Sequence, residues 1–261
     1  MLIAIGRINL DDLYRSITSK TVLISIMFAN NEIGTIQPIK EIGEIAKLKN
    51  IIFHTDAVQA VGNVGINVNE LNIDALSLSG HKIYAPKGVG ALYVRSGIKF
   101  ERILQGGHQE FGKRSGTENV ASIVGLGKAI ELIYNEFEVH NMKAIGLRNY
   151  YIKRITNEIK DAKINGDPIN RLPGNANVSF KDIDASQLLM YLDANGICAS
   201  AGSACTSGLA EPSHVLVAIG LKEEYINGSI RTTFGRYTTR DDVDYLVDCM
   251  VKSINYMKKQ K

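Results

Sequence analysis

The sequence predicts an α/β protein: a mainly parallel sheet in a large domain, followed by a smaller α+β domain. Three observations carry this. Apolar runs rich in β-branched residues alternate with helix-period stretches through the first half of the chain, and that alternation builds parallel sheets. Two helical patterns, 120–136 and 140–160, then follow back to back. Beyond them the spacing changes to shorter strands set between helices. The boundary is therefore placed between 137 and 138, giving domains 1–137 and 138–261.

The elements follow in order. Residues 9–17 read as a short helix, with Leu10, Leu13 and Ile17 on one face and acids in the first turn. The run 21–29 is almost continuously apolar, which predicts a strand buried on both faces. Asn30-Asn31-Glu32 closes it. Pro38 suits the first turn of the next helix, whose apolar positions include Ile39, Ile42 and Ala46. Strands ending at Asp56 and near Ser79 come next, then a candidate strand at 90–95. A glycine-rich polar loop spans 106–119. In the second domain, 177–180 reads as a strand, and Asp184 caps a helix stopped by Asn195-Gly196. A short helix at 212–219, an alternating strand at 229–234 and a helix over 240–258 complete the chain. The last helix has Val243, Leu246, Val247, Met250 and Ile254 at helical spacing.

Composition narrows the class. The 261 residues are 45% hydrophobic and 22% charged, ordinary for a globular protein. A net charge of +3 argues for neither nucleic acid nor an anionic membrane. No apolar run approaches the ~20 residues of a membrane span, and the first residues lack an export signal. Three cysteines, at 198, 205 and 249, have no metal-type spacing. A reducing cytoplasm is expected, with no structural disulfide.

Two clusters carry chemistry. Ser77-Leu78-Ser79-Gly80-His81-Lys82 ends a strand in hydroxyl, imidazole and amine. An amine beside an anion site can hold an aldehyde cofactor while its neighbours hold a phosphate. Alone, Lys82 reads as a surface lysine. Upstream, Phe53-His54-Thr55-Asp56-Ala57-Val58-Gln59 ends another strand in an acid. A carboxylate there can keep a pyridinium protonated, so that the ring serves as an electron sink. Asp56 alone reads equally as a helix N-cap. Together, at the carboxyl ends of strands in one parallel sheet, Asp56 and Lys82 favour pyridoxal phosphate. A third stretch, 199–208, is almost entirely small residues around Cys205. Composition leaves Cys205 open between an inert exposed thiol and a nucleophile. Cys198 and Cys249 sit in apolar patterns and are assigned to the core. His54, His140 and His214 read as core or turn histidines.

These motifs, with Ala29–Thr35, Arg114–Asn119, Gly202–Gly208 and Glu211–His214, resemble cysteine desulfurases of the NifS/IscS type. The similarity runs from about residue 20 to the end. The resemblance implies the aspartate-aminotransferase-like fold of pyridoxal-phosphate-dependent transferases. Residues 1–137 would be the remaining part of the cofactor-binding domain, and 138–261 the small domain. It implies that Lys82 holds the cofactor as a Schiff base and moves protons. Asp56 would pair with the pyridine nitrogen and Gln59 with the phenolic oxygen. Ser79 and His81 would bind phosphate, as would Thr117 across a dimer interface. Asn30 and Arg231 would hold the substrate carboxylate, and His81 would also assist proton transfer. Cys205 would attack the sulfur of L-cysteine, leaving L-alanine, and carry the persulfide to an acceptor. Such an acceptor is an iron–sulfur scaffold or the tRNA-thiolation machinery. No intrinsic metal is implied, although Cys205 could act as a transient iron–sulfur ligand. The expected assembly is a cytoplasmic homodimer with no direct nucleic-acid or membrane contact.

The sequence departs from the family at its front. No phosphate-binding Gly-Ala-Thr-Glu-like turn and no histidine precede Asn30. The expectation is that the family's N-terminal portion is missing or supplied by a separate chain, leaving apolar faces exposed. His108 also replaces a usual glycine. Two alternatives stay open. One is a truncated, catalytically impaired remnant or interaction module. The other is a selenocysteine lyase or a different enzyme of the same fold.

Overall fold

The computed structural model describes residues 5–202 and 212–260. The chain groups into two compact units. One combines 16–28 with 39–137; the other combines the segment ending at Arg15, Ala29–Pro38 and everything from Glu138 onward. This differs from one cut at 137/138, because Ala29–Pro38 joins the later unit. Backbone pairing explains why: Thr35 bridges Arg171, and Leu172 N–H donates to Gly34 O at 2.8 Å.

The first unit is built on a four-stranded sheet of order β1-β2-β3-β4. β1 (Leu23–Met27), β2 (Ile52–Asp56) and β3 (Ala75–Ser79) run parallel, and β4 (Gly90–Val94) closes the edge antiparallel. Register sets Ile24 beside Phe53 and Thr55 beside Leu76, all buried, so one face is core. α2 (Ile39–Leu48) buries Ile39, Ile42, Gly43 and Ala46. Gly43 is required there, since a Cβ would stand 2.0 Å from Leu71 O.

The opposite face corrects the expectation of a strand buried on both sides. Leu23 (50%), Met27 (41%) and Ile52 (38%) are exposed, as is Leu92 (56%). The period of two is the reason: the inward residues of β1 face the core, and nothing described covers the outward ones. This exposure agrees with the expectation of uncovered apolar faces. α3 (Val120–Asn135), capped by Asn119, packs Leu126 and Ala129 on Ile83.

The second unit begins with α1 (Leu10–Ser16), which buries no residue, so the apolar face expected on this helix is not a core face. α4 (Phe137–Glu158) leads to a three-stranded antiparallel sheet of order β5-β6-β7. Its strands are β5 (Ala162–Ile164), β6 (Asn175–Phe180) and β7 (Ser229–Thr233). β6 is buried along its whole length. α5 (Ala185–Ala194), α6 (His214–Ala218), α7 (Glu223–Ile226) and α8 (Arg240–Lys259) complete it. The core joins Tyr151 and Ile155 of α4 to Phe180, Leu188, Ile230 and Met250. Each such side chain contributes roughly 1.5–3 kcal/mol by leaving water. Asp184 caps α5, accepting from Ser186 N at 2.8 Å and Gln187 N at 3.2 Å. Among the described residues no helix is long and apolar enough to cross a membrane.

The assignment of Cys198 to the core is corrected: it is exposed, whereas Cys249 is half-buried and packs against the core. After α5 the chain is extended, so Ile197 and Ala199 pack against the core and Cys198 between them turns outward.

Candidate active site

Two groups of predicted site residues stand in the two units. In the first, parallel strands bring their carboxyl ends to one edge, where open α/β sheets gather ligand-binding groups. Asp56 ends β2 and Ser79 ends β3. Asp56 lies opposite Ser77 in register, so Asp56, Ser77 and Ser79 share a face. Asp56 Oδ1 accepts Val58 N–H at 2.9 Å. A 3₁₀ turn, Gly80–Ile83, follows β3 directly. Ser79 Oγ and His81 Nδ1 are hydrogen-bonded at 2.8 Å. Lys82 is exposed, and its ammonium makes no hydrogen bond or ion pair among the described residues. Gln59 is half-buried in the turn after Asp56; its carbonyl accepts from Asn63 Nδ2 at 3.0 Å. Thr117 is exposed in the loop before α3.

The second group surrounds the turn at Asn30–Gly34. Asn30 Oδ1 accepts Glu32 N–H at 2.9 Å and Ile33 N–H at 3.0 Å, so the side chain is fixed by its own turn. Arg231, on β7, donates from Nη1 to Asn31 O at 3.0 Å. Thus Asn30 and Arg231 meet at one turn. Cys205 lies outside the described residues.

Sequence reasoning missed the groups that hold this turn. Glu32 is 2% exposed, and its Oε2 accepts from Ser213 Oγ at 2.6 Å. A Cβ on Gly202 would lie 3.5 Å from the same oxygen. Asn175 and Asn177 donate from Nδ2 to Glu32 O at 3.3 and 3.2 Å. Asn177, fully buried, also accepts from Asn165 Nδ2 at 2.6 Å and Ser229 Oγ at 2.8 Å. The only available signal was polar residues at alternating positions of a strand otherwise reading as core. Nearby, the pKa of buried Arg171 is held down to about 10 by burial and then by repulsion from Arg148.

His54 also departs from its reading as a core or turn residue. It is half-buried on the uncovered face of β2, between Ser25 Oγ at 2.8 Å and Ser77 Oγ at 2.7 Å. His140 lies on α4, and His214 opens α6.

The profile of the family described as Aminotransferase class-V matches residues 2–246. The chain belongs to this family. Among curated relatives, cysteine desulfurase IscS of Clostridium botulinum (strain Hall) is 51% identical over 256 residues, covering 97% of this chain and 64% of that protein. A solved NifS-like protein superposes with a TM-score of 0.90 at 34% identity, over 98% of this chain and 67% of the other. The solved structure of SspA in complex with cysteine gives 0.76 at 37% identity, over 91% and 66%. The chain thus spans about 64% of the length of the curated relatives it matches. The fold is that of the pyridoxal-phosphate-dependent, NifS-like members of the class-V family, and membership implies dependence on that cofactor.

Proposed function

We propose that this chain is a cysteine desulfurase, or the larger part of one. It takes L-cysteine to L-alanine and leaves the sulfur as a persulfide on Cys205. In the sulfur step the Cys205 thiolate forms an S–S bond to the substrate sulfur. The C–S bond breaks, its electron pair stays on carbon, and a proton completes alanine. Pyridoxal phosphate, when bound, supplies the aldehyde that captures the amine and the ring that accepts electrons.

The observation that carries this reading is the edge shared by Asp56 and Ser79, with Lys82 three residues further on. The side chains there fit the cofactor. The Lys82 amine has no competing partner among the described residues. A hydroxyl–imidazole pair, Ser79–His81, suits a phosphate, and a strand-end carboxylate suits a ring nitrogen. In this reading Lys82 Nζ holds the cofactor and then moves a proton to and from the substrate Cα. Asp56 faces the ring nitrogen, and Gln59 the phenolic oxygen. Ser79, His81 and Thr117 hold phosphate, Thr117 that of a partner subunit. Asn30 and Arg231 grip the substrate carboxylate, Arg231 through its planar fork. The names of the curated relatives, and the cysteine complex of SspA, support this substrate.

The same reading makes the protein a cytoplasmic homodimer, passing sulfur to an iron–sulfur scaffold or a tRNA-thiolation partner. The unit of 16–28 and 39–137 holds the cofactor, and the other carries Cys205.

The test is to mix the full chain with pyridoxal phosphate and record visible absorbance, then add L-cysteine. Absorbance of a lysine-bound cofactor is expected, absent in Lys82→Ala. Alanine and persulfide are expected, both absent in Cys205→Ser. Alanine released at the full rate by Cys205→Ser would overturn the proposal.

A further inference from the structure

The uncovered face of the first sheet carries one polar seam, and it ends beside Asp56. Ser25 on β1, His54 on β2 and Ser77 on β3 form a continuous hydrogen-bonded chain, Ser25 Oγ to Nδ1 at 2.8 Å and Nε2 to Ser77 Oγ at 2.7 Å. Register places Ser25 opposite His54 and Ser77 opposite Asp56. All four side chains are on the same face.

We propose that His54 is a positioning residue for Asp56, with its imidazole proton on Nε2. This rests on the cofactor reading above. Each serine hydroxyl has one proton, and a neutral imidazole has one. The chain therefore runs in one of two senses. In the first, Ser25 O–H donates to Nδ1, Nε2–H donates to Ser77 Oγ, and the Ser77 O–H remains for another acceptor. In the second, Ser77 O–H donates to Nε2 and turns its lone pairs outward.

The carboxylate of Asp56 selects between them. It stands across from Ser77 on a strand ~4.8 Å away. One oxygen takes the Val58 N–H, and the other accepts no hydrogen bond among the described residues. The first sense turns the positive ends of three aligned dipoles toward that negative charge. The second turns lone pairs toward it. Hydrogen bonds in a chain polarise one another, so the preference reinforces along the seam. A carboxylate favoured in this way is fixed in direction, as a partner of the ring nitrogen has to be. None of Ser25, His54 and Ser77 needs to touch the cofactor to act.

The experiment uses the full chain. In the cofactor-free, ¹⁵N-labelled protein, long-range proton–nitrogen correlation reads the His54 tautomer directly. The Nε2–H form is expected; the Nδ1–H form overturns the proposal. A second arm titrates pyridoxal phosphate by absorbance. His54→Phe keeps bulk and removes both ring nitrogens, whereas Ser77→Ala cuts only the last link. Each is expected to weaken cofactor binding several-fold, since either change removes aligned dipoles beside the Asp56 charge. The double variant should be no weaker than the worse single one, since both break one chain. Unchanged affinity in Ser77→Ala, or multiplied losses in the double variant, overturns the proposal. If His54→Phe fails to fold, Ser77→Ala and the tautomer decide. A wild-type chain that binds no cofactor sinks the cofactor reading, and the tautomer then decides the seam alone.

Discussion

The carboxylate of Glu32 takes a 2.6 Å hydrogen bond from the hydroxyl of Ser213, across 181 residues of chain. The same hydroxyl accepts Leu216 N–H at 3.3 Å and so caps α6. One buried acid thus joins the turn that carries Asn30 to the start of a helix. Burying such a group is costly unless it is hydrogen-bonded.

Ser213→Ala should therefore destabilise the chain through two losses, a cap and the partner of a buried acid. The expected cost is ~1–3 kcal/mol, read as a lower urea midpoint with unchanged slope. Glu32→Ala should cost a similar amount, and the double variant less than the sum. Full additivity would mean that the bond contributes nothing.

Gly43→Ala tests the contact between α2 and the loop before β3. An added Cβ would stand 2.0 Å from the carbonyl oxygen of Leu71. Backbone has to move, at an expected cost of ~1–3 kcal/mol despite the better helix propensity of alanine. A thermal melt at or above that of the wild type would contradict the close approach.

Thr239 and Asp242 form a reciprocal cap on α8. Thr239 N–H donates to Asp242 Oδ2 at 2.8 Å, and Asp242 N–H to Thr239 Oγ1 at 3.2 Å. The Thr239 backbone hydrogen bond, then the Thr239 hydroxyl, holds the carboxyl of Asp242 below its ordinary value. A depressed folded value stabilises above the unfolded value of 3.8, and this contribution fades as pH falls through the folded value. Asp242→Asn should flatten stability against pH in that acid window and leave the slope near neutrality alone. Circular dichroism during acid titration is the check.

In the candidate site, Asp56→Asn should keep the fold but weaken pyridoxal phosphate binding by about tenfold or more, because a neutral amide brings no negative charge to a protonated ring nitrogen. Affinity equal to the wild type would remove Asp56 from the cofactor reading.

Much of this was legible in the chain. Asp184, Asn195-Gly196 and the stripe from Val243 to Ile254 announced α5 and α8 because capping and periodicity are local signals. The places of Asp56 and Ser79 at the ends of β2 and β3 were legible because each closes an apolar run of strand length. Cys198 and the outer face of β1 misled for one reason: an apolar neighbourhood in sequence does not say which side of an extended chain is covered. Glu32, Asn177 and Ser213 were invisible because their bonds join residues far apart in the chain. Their side chains, read singly, resemble ordinary turn and surface residues.

A sheet clothed on one side has a practical consequence for anyone who purifies this chain. Leu23, Met27, Ile52 and Leu92 offer a greasy plane to any solute that meets it. Fluorescent dyes that seek oily surfaces should brighten on contact, and detergent or a fitted polypeptide should quench that signal by occupying the plane first.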